Sequence, residues 1–165
     1  MIEAAVLLII YNNKIIFIKR RADLKQHSGE VSFPGGKFDP EVDNSLMETA
    51  IREVEEEIGL CRDYYKILYE LPVQQTVSTN FLVHTFVAKT IRDNIDFKIN
   101  CAEVERIILI PVNHFFNEKR KVKVPLKFNN SVYLNTFYYF ENYLIWGATS
   151  RILDTFLEKI TNERN

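Results

Sequence analysis

Residues 49–60 read TAIREVEEEIGL and place Glu53, Glu55, Glu56 and Glu57 in the turns just before Gly59. The apolar spacing there is helical, and Gly59 suits a left-handed stop. The carbonyl end of a helix carries about half a negative charge, and like charges three or four residues apart cost about 0.2–0.5 kcal/mol per pair. Four glutamates at that end therefore ask for a compensating partner. At about 100° of rotation per residue, Glu53, Glu56 and Glu57 fall within a sector of about 100°. Met47, Ile51, Val54 and Ile58 share a different, core-facing sector, and Glu55 points to solvent. Carboxylates gathered in this way suit Mg²⁺ or Mn²⁺, hard cations that bridge protein oxygens to substrate phosphates.

The elements around this helix must hold it. Upstream lies Pro34-Gly35-Gly36, a bend without side chains whose carbonyls can approach a cation, and four of the five glycines fall between positions 29 and 59. Asp43, Asn44 or Ser45 can cap a helix predicted over about residues 44–58. The β-branched runs 4–11 and 14–19, separated by Asn12-Asn13, predict an antiparallel hairpin. Further strands are predicted at 66–72, 81–89 and 106–110. Another hairpin is predicted about Asn129-Asn130 within 121–139, and a last helix over 147–161. Strands outnumber helices and are joined by short turns, which predicts an α+β fold with a mixed sheet flanked by helices.

The 165 residues, 47% hydrophobic and 26% charged, fit one globular domain spanning 1–165. At this length folding buries roughly 70% of the unfolded chain's surface, so no structural metal or disulfide is required. A net charge of −1 argues against bulk binding to nucleic acid or to an anionic membrane. The longest apolar run, 4–11, is too short to span a bilayer and reads as a buried strand. Cys61 and Cys101 stand alone, which fits a reducing cytoplasm and no zinc site.

Arg52, Glu53, Glu56, Glu57, Gly59 and Leu60 match the R-E-U-x-E-E-x-G-U half of the signature of the Nudix hydrolases, and the chain resembles that family. In the opening half the family has a Glu eight residues before the Arg and a Gly six before that. Those positions are Asn44 and Phe38 here, and Asp43 with Gly36 match when each spacer is one longer. The resemblance implies an α/β/α sandwich and a divalent cation, Mg²⁺ or Mn²⁺, used to hydrolyse a nucleoside diphosphate linked to another group. It implies that Glu53, Glu56 and Glu57 hold metal, that the Gly36 carbonyl adds a ligand, and that Arg52 orients Glu53. The base is either Glu53 or a loop carboxylate, for which Glu103 comes first and Glu105 second, within NCAEVERIILIPV.

A second resemblance narrows the substrate. Residues 16–36, IFIKRRADLKQHSGEVSFPGG, are similar to the upstream motif of coenzyme A pyrophosphatases, with Arg20, Gly29, Phe33, Pro34, Gly35 and Gly36 in register. Lys25 replaces that motif's arginine and Arg21 its small residue. Lys19, Arg20, Arg21, Lys25 and His27 form a basic cluster that can seat the 3′-phosphate of coenzyme A. YLIWGATSRIL, residues 143–153, resembles the segment that opens the subfamily's last helix, where Trp146 and Ile145 are expected as core anchors. His84 and His114 are expected to be structural. The implied reaction yields 3′,5′-ADP and phosphopantetheine, with Arg20, Lys25, Gly35 and Gly36 on the substrate. A Nudix hydrolase for ADP-ribose or another nucleoside diphosphate derivative is the alternative, and a catalytically silent nucleotide sensor a second. A homodimer stays open.

Overall fold

In the computed structural model the described residues are all but Lys25, Gln26, Ser78, Asn129 and Asn165. Ten strands and two helices follow in order: β1 Ile2–Tyr11, β2 Lys14–Arg20, β3 Val31–Ser32, β4 Gly35–Lys37, α1 Leu46–Ile58, β5 Tyr65–Gln75, β6 Phe81–Thr90, β7 Val104–Pro111, β8 Lys121–Phe128, β9 Ser131–Phe140, β10 Tyr143–Ile145 and α2 Gly147–Arg164. Seven strands form one sheet with the path β3-β2-β1-β6-β5, to which β4 adds beside β1 and β7 beside β2. β1 and β6 run parallel and the other pairs antiparallel, which makes the sheet mixed. The remaining strands form a separate three-stranded sheet, β10-β9-β8.

β1 and β2 are apolar almost throughout because both faces are covered. Ala5, Leu7, Ile9, Ile16 and Ile18 pack with Ala50, Val54, Ile58 and Leu60 of the α1 layer. Their neighbours Leu8, Ile15 and Phe17 pack the other way, with Ile152, Leu153, Phe156 and Leu157 of α2. The period-two alternation thus feeds two cores, and the result is an α/β/α sandwich. Asn12 and Asn13 both adopt positive φ (48° and 60°), as the two-residue hairpin requires.

Two sequence expectations are corrected. Met47 is 39% exposed, because the buried stripe of α1 runs through Ala50, Val54, Glu57 and Ile58 with Leu46 at its edge. Trp146 is 44% exposed while its neighbour Ile145 is fully buried, so only Ile145 anchors the entry to α2. Both cysteines are free, and among the described residues no helix is long and apolar enough to cross a membrane. His84 ties three strands together, with its ring nitrogens 3.0 Å from Glu3 and 2.8 Å from Glu70.

Candidate active site

Ser45, the last of the three residues offered as a cap, starts α1: its hydroxyl accepts from the Glu48 N–H (3.2 Å), and the Glu48 carboxylate accepts from the Asn44 backbone (3.0 Å). At the other end Gly59 takes the left-handed conformation, φ 64°, and donates to the Glu55 carbonyl. The last two carbonyls of the helix are closed by a distant segment, since Lys98 N–H donates to Ile58 O and Asn100 N–H to Glu57 O, both at 2.9 Å. Backbone amides therefore serve three of the last four carbonyls of the helix and fix the loop that carries Glu103 against it.

Arg52 organises one corner of the polar face. Its Nε and Nη2 form a fork on the Asp43 carboxylate at 2.8 and 2.9 Å, while Nη1 reaches Glu53 at 2.9 Å and Glu56 at 3.2 Å. Asp43 is buried and also accepts from the Thr49 hydroxyl (2.8 Å) and the Asp39 N–H (3.1 Å). These bonds, above all those from Arg52, hold its carboxyl far below the usual carboxylate range, and Asp43 in turn raises the Arg52 guanidinium. Arg52 does meet Glu53, but its main partner is a residue that sequence reasoning offered only as a cap or a shifted motif match. The signal was the relaxed spacing of Gly36, Asp43 and Arg52, and Thr49 gave none.

The other corner is built differently. Glu57 is 1% exposed, and its two oxygens accept from Arg20 Nη1 at 3.2 Å and from the Gly35 N–H at 2.9 Å. Burial first, then the charges of Glu53 and Glu103, push its carboxyl up to about 8 in spite of those two donors. Glu53 is also raised, first by burial and then by Glu56 and Glu103, with Arg52 opposing. Glu103 thus lies near enough for its charge to act on both carboxylates, whereas Glu105 pairs with Arg106 on the exposed surface (3.4 Å). Arg20 Nε is buried and has no partner among the described residues.

β4 brings the glycine bend under these groups. Gly36 lies opposite Ala5 and Gly35 opposite Val6. A Cβ on Gly36 would occupy the space of the Glu53 carboxylate, and one on Gly35, at φ 151°, would strike the backbone of Ala5 and Val6. Among the described residues of the basic cluster, only Arg20 touches a carboxylate of α1. Arg21 pairs with Asp23 at 2.7 Å, Lys19 donates to the Gly29 carbonyl, His27 pairs with Glu30 at 3.0 Å, and Lys25 lies outside the described residues.

Among the described residues no three acidic, imidazole or thiol side chains close into a ready ligand cage. Glu56 is more than half exposed. The donor set nevertheless fits a hard divalent cation. Glu53 and Glu57 are oxygen donors with too little positive charge around them, and a third carboxylate, Glu103, adds to the deficit.

A NUDIX domain model matches residues 1–129. The chain is 34% identical over 149 residues to a protein of Yersinia enterocolitica described as an uncharacterized Nudix hydrolase, NudL, with 88% of this chain and 73% of that protein covered. The protein of the same description from Yersinia pestis is 34% identical over 150 residues, covering 88% and 72%. Among solved structures, a C. elegans Ap4A hydrolase binary complex shares the fold with TM-score 0.56 at 18% identity, over 70% of this chain and 84% of that one. A Nudix hydrolase from M. smegmatis, RenU, does so with TM-score 0.55 at 16% identity, over 68% and 71%. With the family model matching most of its length and a third of its residues shared with these relatives, the chain belongs to the Nudix hydrolase family.

Proposed function

We propose that this Nudix hydrolase cleaves the diphosphate bond of coenzyme A or its derivatives, giving 3′,5′-ADP and phosphopantetheine or its acyl form. The observation that carries the reading is the meeting of two motifs at one carboxylate. Arg20 and Gly35, both in the upstream segment that resembles coenzyme A pyrophosphatases, donate to Glu57 of the Nudix helix. The segment that sets the substrate and the helix that does the chemistry are then one site.

Glu53, Glu56 and Glu57, with the Gly36 carbonyl, would hold Mg²⁺ or Mn²⁺. When bound, the cation neutralises the diphosphate and lowers the pKa of a water for attack on phosphorus. The chain's own groups do the rest. Arg52, fixed by Asp43, keeps the Glu53 carboxylate turned toward the Gly36 backbone. Arg20 keeps Glu57 in place through Nη1 and offers its buried, unpartnered Nε to a phosphate oxygen. A carboxylate oxygen of Glu103, or of Glu53, takes the proton of the attacking water as the new P–O bond forms. The bridging P–O bond breaks and the second phosphate leaves with its electron pair. Lys25 supplies charge to the 3′-phosphate.

The test is mass spectrometry of products after incubation with Mg²⁺ or Mn²⁺ in ¹⁸O water, with coenzyme A, ADP-ribose, NADH and diadenosine polyphosphates offered in parallel. Labelled phosphopantetheine or labelled 3′,5′-ADP from coenzyme A, with the others spared, is the expected result. Cleavage of another compound in preference removes the coenzyme A assignment, and no cleavage of any with either cation favours a silent binder. Lys25→Ala should raise KM for coenzyme A more than for dephospho-coenzyme A, and equal effects remove Lys25 from 3′-phosphate recognition.

A further inference from the structure

On a helix that turns about 100° per residue, Thr49 lies within about 60° of Arg52, Glu53 and Glu56, so it heads the carboxylate face and stands outside the apolar stripe. It is nevertheless fully buried. A β-branched residue is a weaker helix former than alanine, and a buried hydroxyl costs stability unless it is bonded. A helical threonine commonly meets that need locally, by donating to the carbonyl four residues back. Here that carbonyl, Ser45 O, is 3.3 Å from Thr49 Oγ1, whereas Asp43 Oδ2 is at 2.8 Å. A hydroxyl has one proton to give, and the shorter, charge-assisted contact takes it.

That choice matters because of what Asp43 holds. The fork between Asp43 and Arg52 fixes two side chains relative to each other, but not to the backbone. Two further donors tie the pair down. The Asp39 N–H anchors it to the loop before α1 (3.1 Å), and Thr49 Oγ1 anchors it to α1 itself, one turn ahead of Glu53. Beyond the fork, Arg52 Nη1 reaches Glu53 at 2.9 Å. On another side the Glu53 carboxylate lies against Gly36, in the space that a Cβ there would fill. Glu53 is therefore set between a backbone wall and a guanidinium, and a displaced Arg52 displaces its carboxylate.

We propose that Thr49 is a positioning residue for the diphosphatase reaction: its hydroxyl, acting through Asp43 and Arg52, sets where the Glu53 carboxylate is presented to a divalent cation. The proposal rests on the reading of Glu53 as a cation ligand. The competing role is packing alone, in which the methyl of Thr49 fills space and the hydroxyl is incidental. The two roles separate by substitution. Valine keeps the shape and loses the hydroxyl, whereas serine keeps the hydroxyl and loses the methyl.

Titration of the full chain with Mn²⁺, followed by electron paramagnetic resonance, tests the proposal. Alongside it, kcat and KM are measured for whichever diphosphate compound the wild type cleaves fastest. Thr49→Val should weaken Mn²⁺ binding about tenfold and lower kcat about tenfold, with KM changed by less than about twofold. Thr49→Ser should stay within about twofold of the wild type in all three. Should Thr49→Val lose the native far-UV circular dichroism, Thr49→Ala, which removes the hydroxyl and leaves only a small void, takes its place. A hydroxyl-free variant that is less stable in urea yet binds Mn²⁺ as tightly as the wild type overturns the proposal. So does a Thr49→Ser variant that loses as much Mn²⁺ affinity as Thr49→Val. A wild type that binds no Mn²⁺ overturns the reading of Glu53 as a ligand, and the proposal with it.

Discussion

The two corners of the polar face of α1 use the same ingredients, an arginine and carboxylates, to opposite ends. At Arg52 four of the five guanidinium donors are engaged, and the fork on buried Asp43 leaves that carboxylate ionised at any ordinary pH. At Glu57 one arginine nitrogen and one backbone amide serve a carboxylate that burial and two neighbouring glutamates drive toward its proton. The first corner is a fastener. The second is a standing deficit of positive charge, and such a deficit is what a divalent cation and a phosphate-bearing substrate relieve together.

Breaking the fastener should cost the most. Removing one partner of a buried ion pair costs about 3–5 kcal/mol, and since Arg52 is a quarter exposed, Asp43→Ala should lose about 3 kcal/mol in urea denaturation. A curve that overlays the wild type would erase the distinction between the corners. Glu57→Gln should instead spare the fold and lower kcat on the order of a hundredfold, about 2.7 kcal/mol of barrier. Wild-type turnover there would remove the cation from this corner. Next, Glu103→Gln should lower kcat about tenfold while Glu105→Gln stays within about twofold, because of the two it is the Glu103 charge that acts on Glu53 and Glu57.

The two corners also part in how stability in EDTA depends on pH. Glu57 binds its proton more tightly folded (about 8) than unfolded (4.5), so its contribution is full below pH 4.5 and fades as pH rises to about 8. The melting temperature should fall over that window, and Glu57→Gln should flatten the fall. Asp43 acts in the opposite sense: its carboxyl is lowered from 3.8, so its contribution is complete above that value and is lost only as pH falls further.

Much of this architecture was legible in the sequence because its signals are local. The Asn12-Asn13 hairpin, the Gly59 stop and the β-branched runs each follow from a few adjacent residues. Periodicity also grouped the glutamates on one side of α1. What it could not supply was the set of partners reached through space. Asp43 is nine residues from Arg52, Arg20 is thirty-seven from Glu57, and the amides that close α1 come from positions 98 and 100. Met47 was misassigned because helical spacing defines a stripe only to within a residue on each flank, and packing against β1 decides which flank is covered. Trp146 shows the same limit, since its size predicts burial but its place just before α2 leaves it at the surface.

The splice between α1 and residues 98–100 bears on how this chain can vary over generations. Lys98 and Asn100 grip the last carbonyls of the helix, Glu103 N–H then donates to Asn100 O, and Arg21 N–H donates to Glu103 O. An insertion between 92 and 96 would disturb the bonds of Tyr11 and Asn12 to the Asp93 carbonyl and the packing of Ile95, but not the carboxylates of α1. One between 98 and 103 would move an acidic side chain relative to two others and uncover a helix end in the same event. Drift in loop length should therefore accumulate on the near side of Lys98 and stop there, a boundary drawn by backbone amides rather than by any side chain of the site.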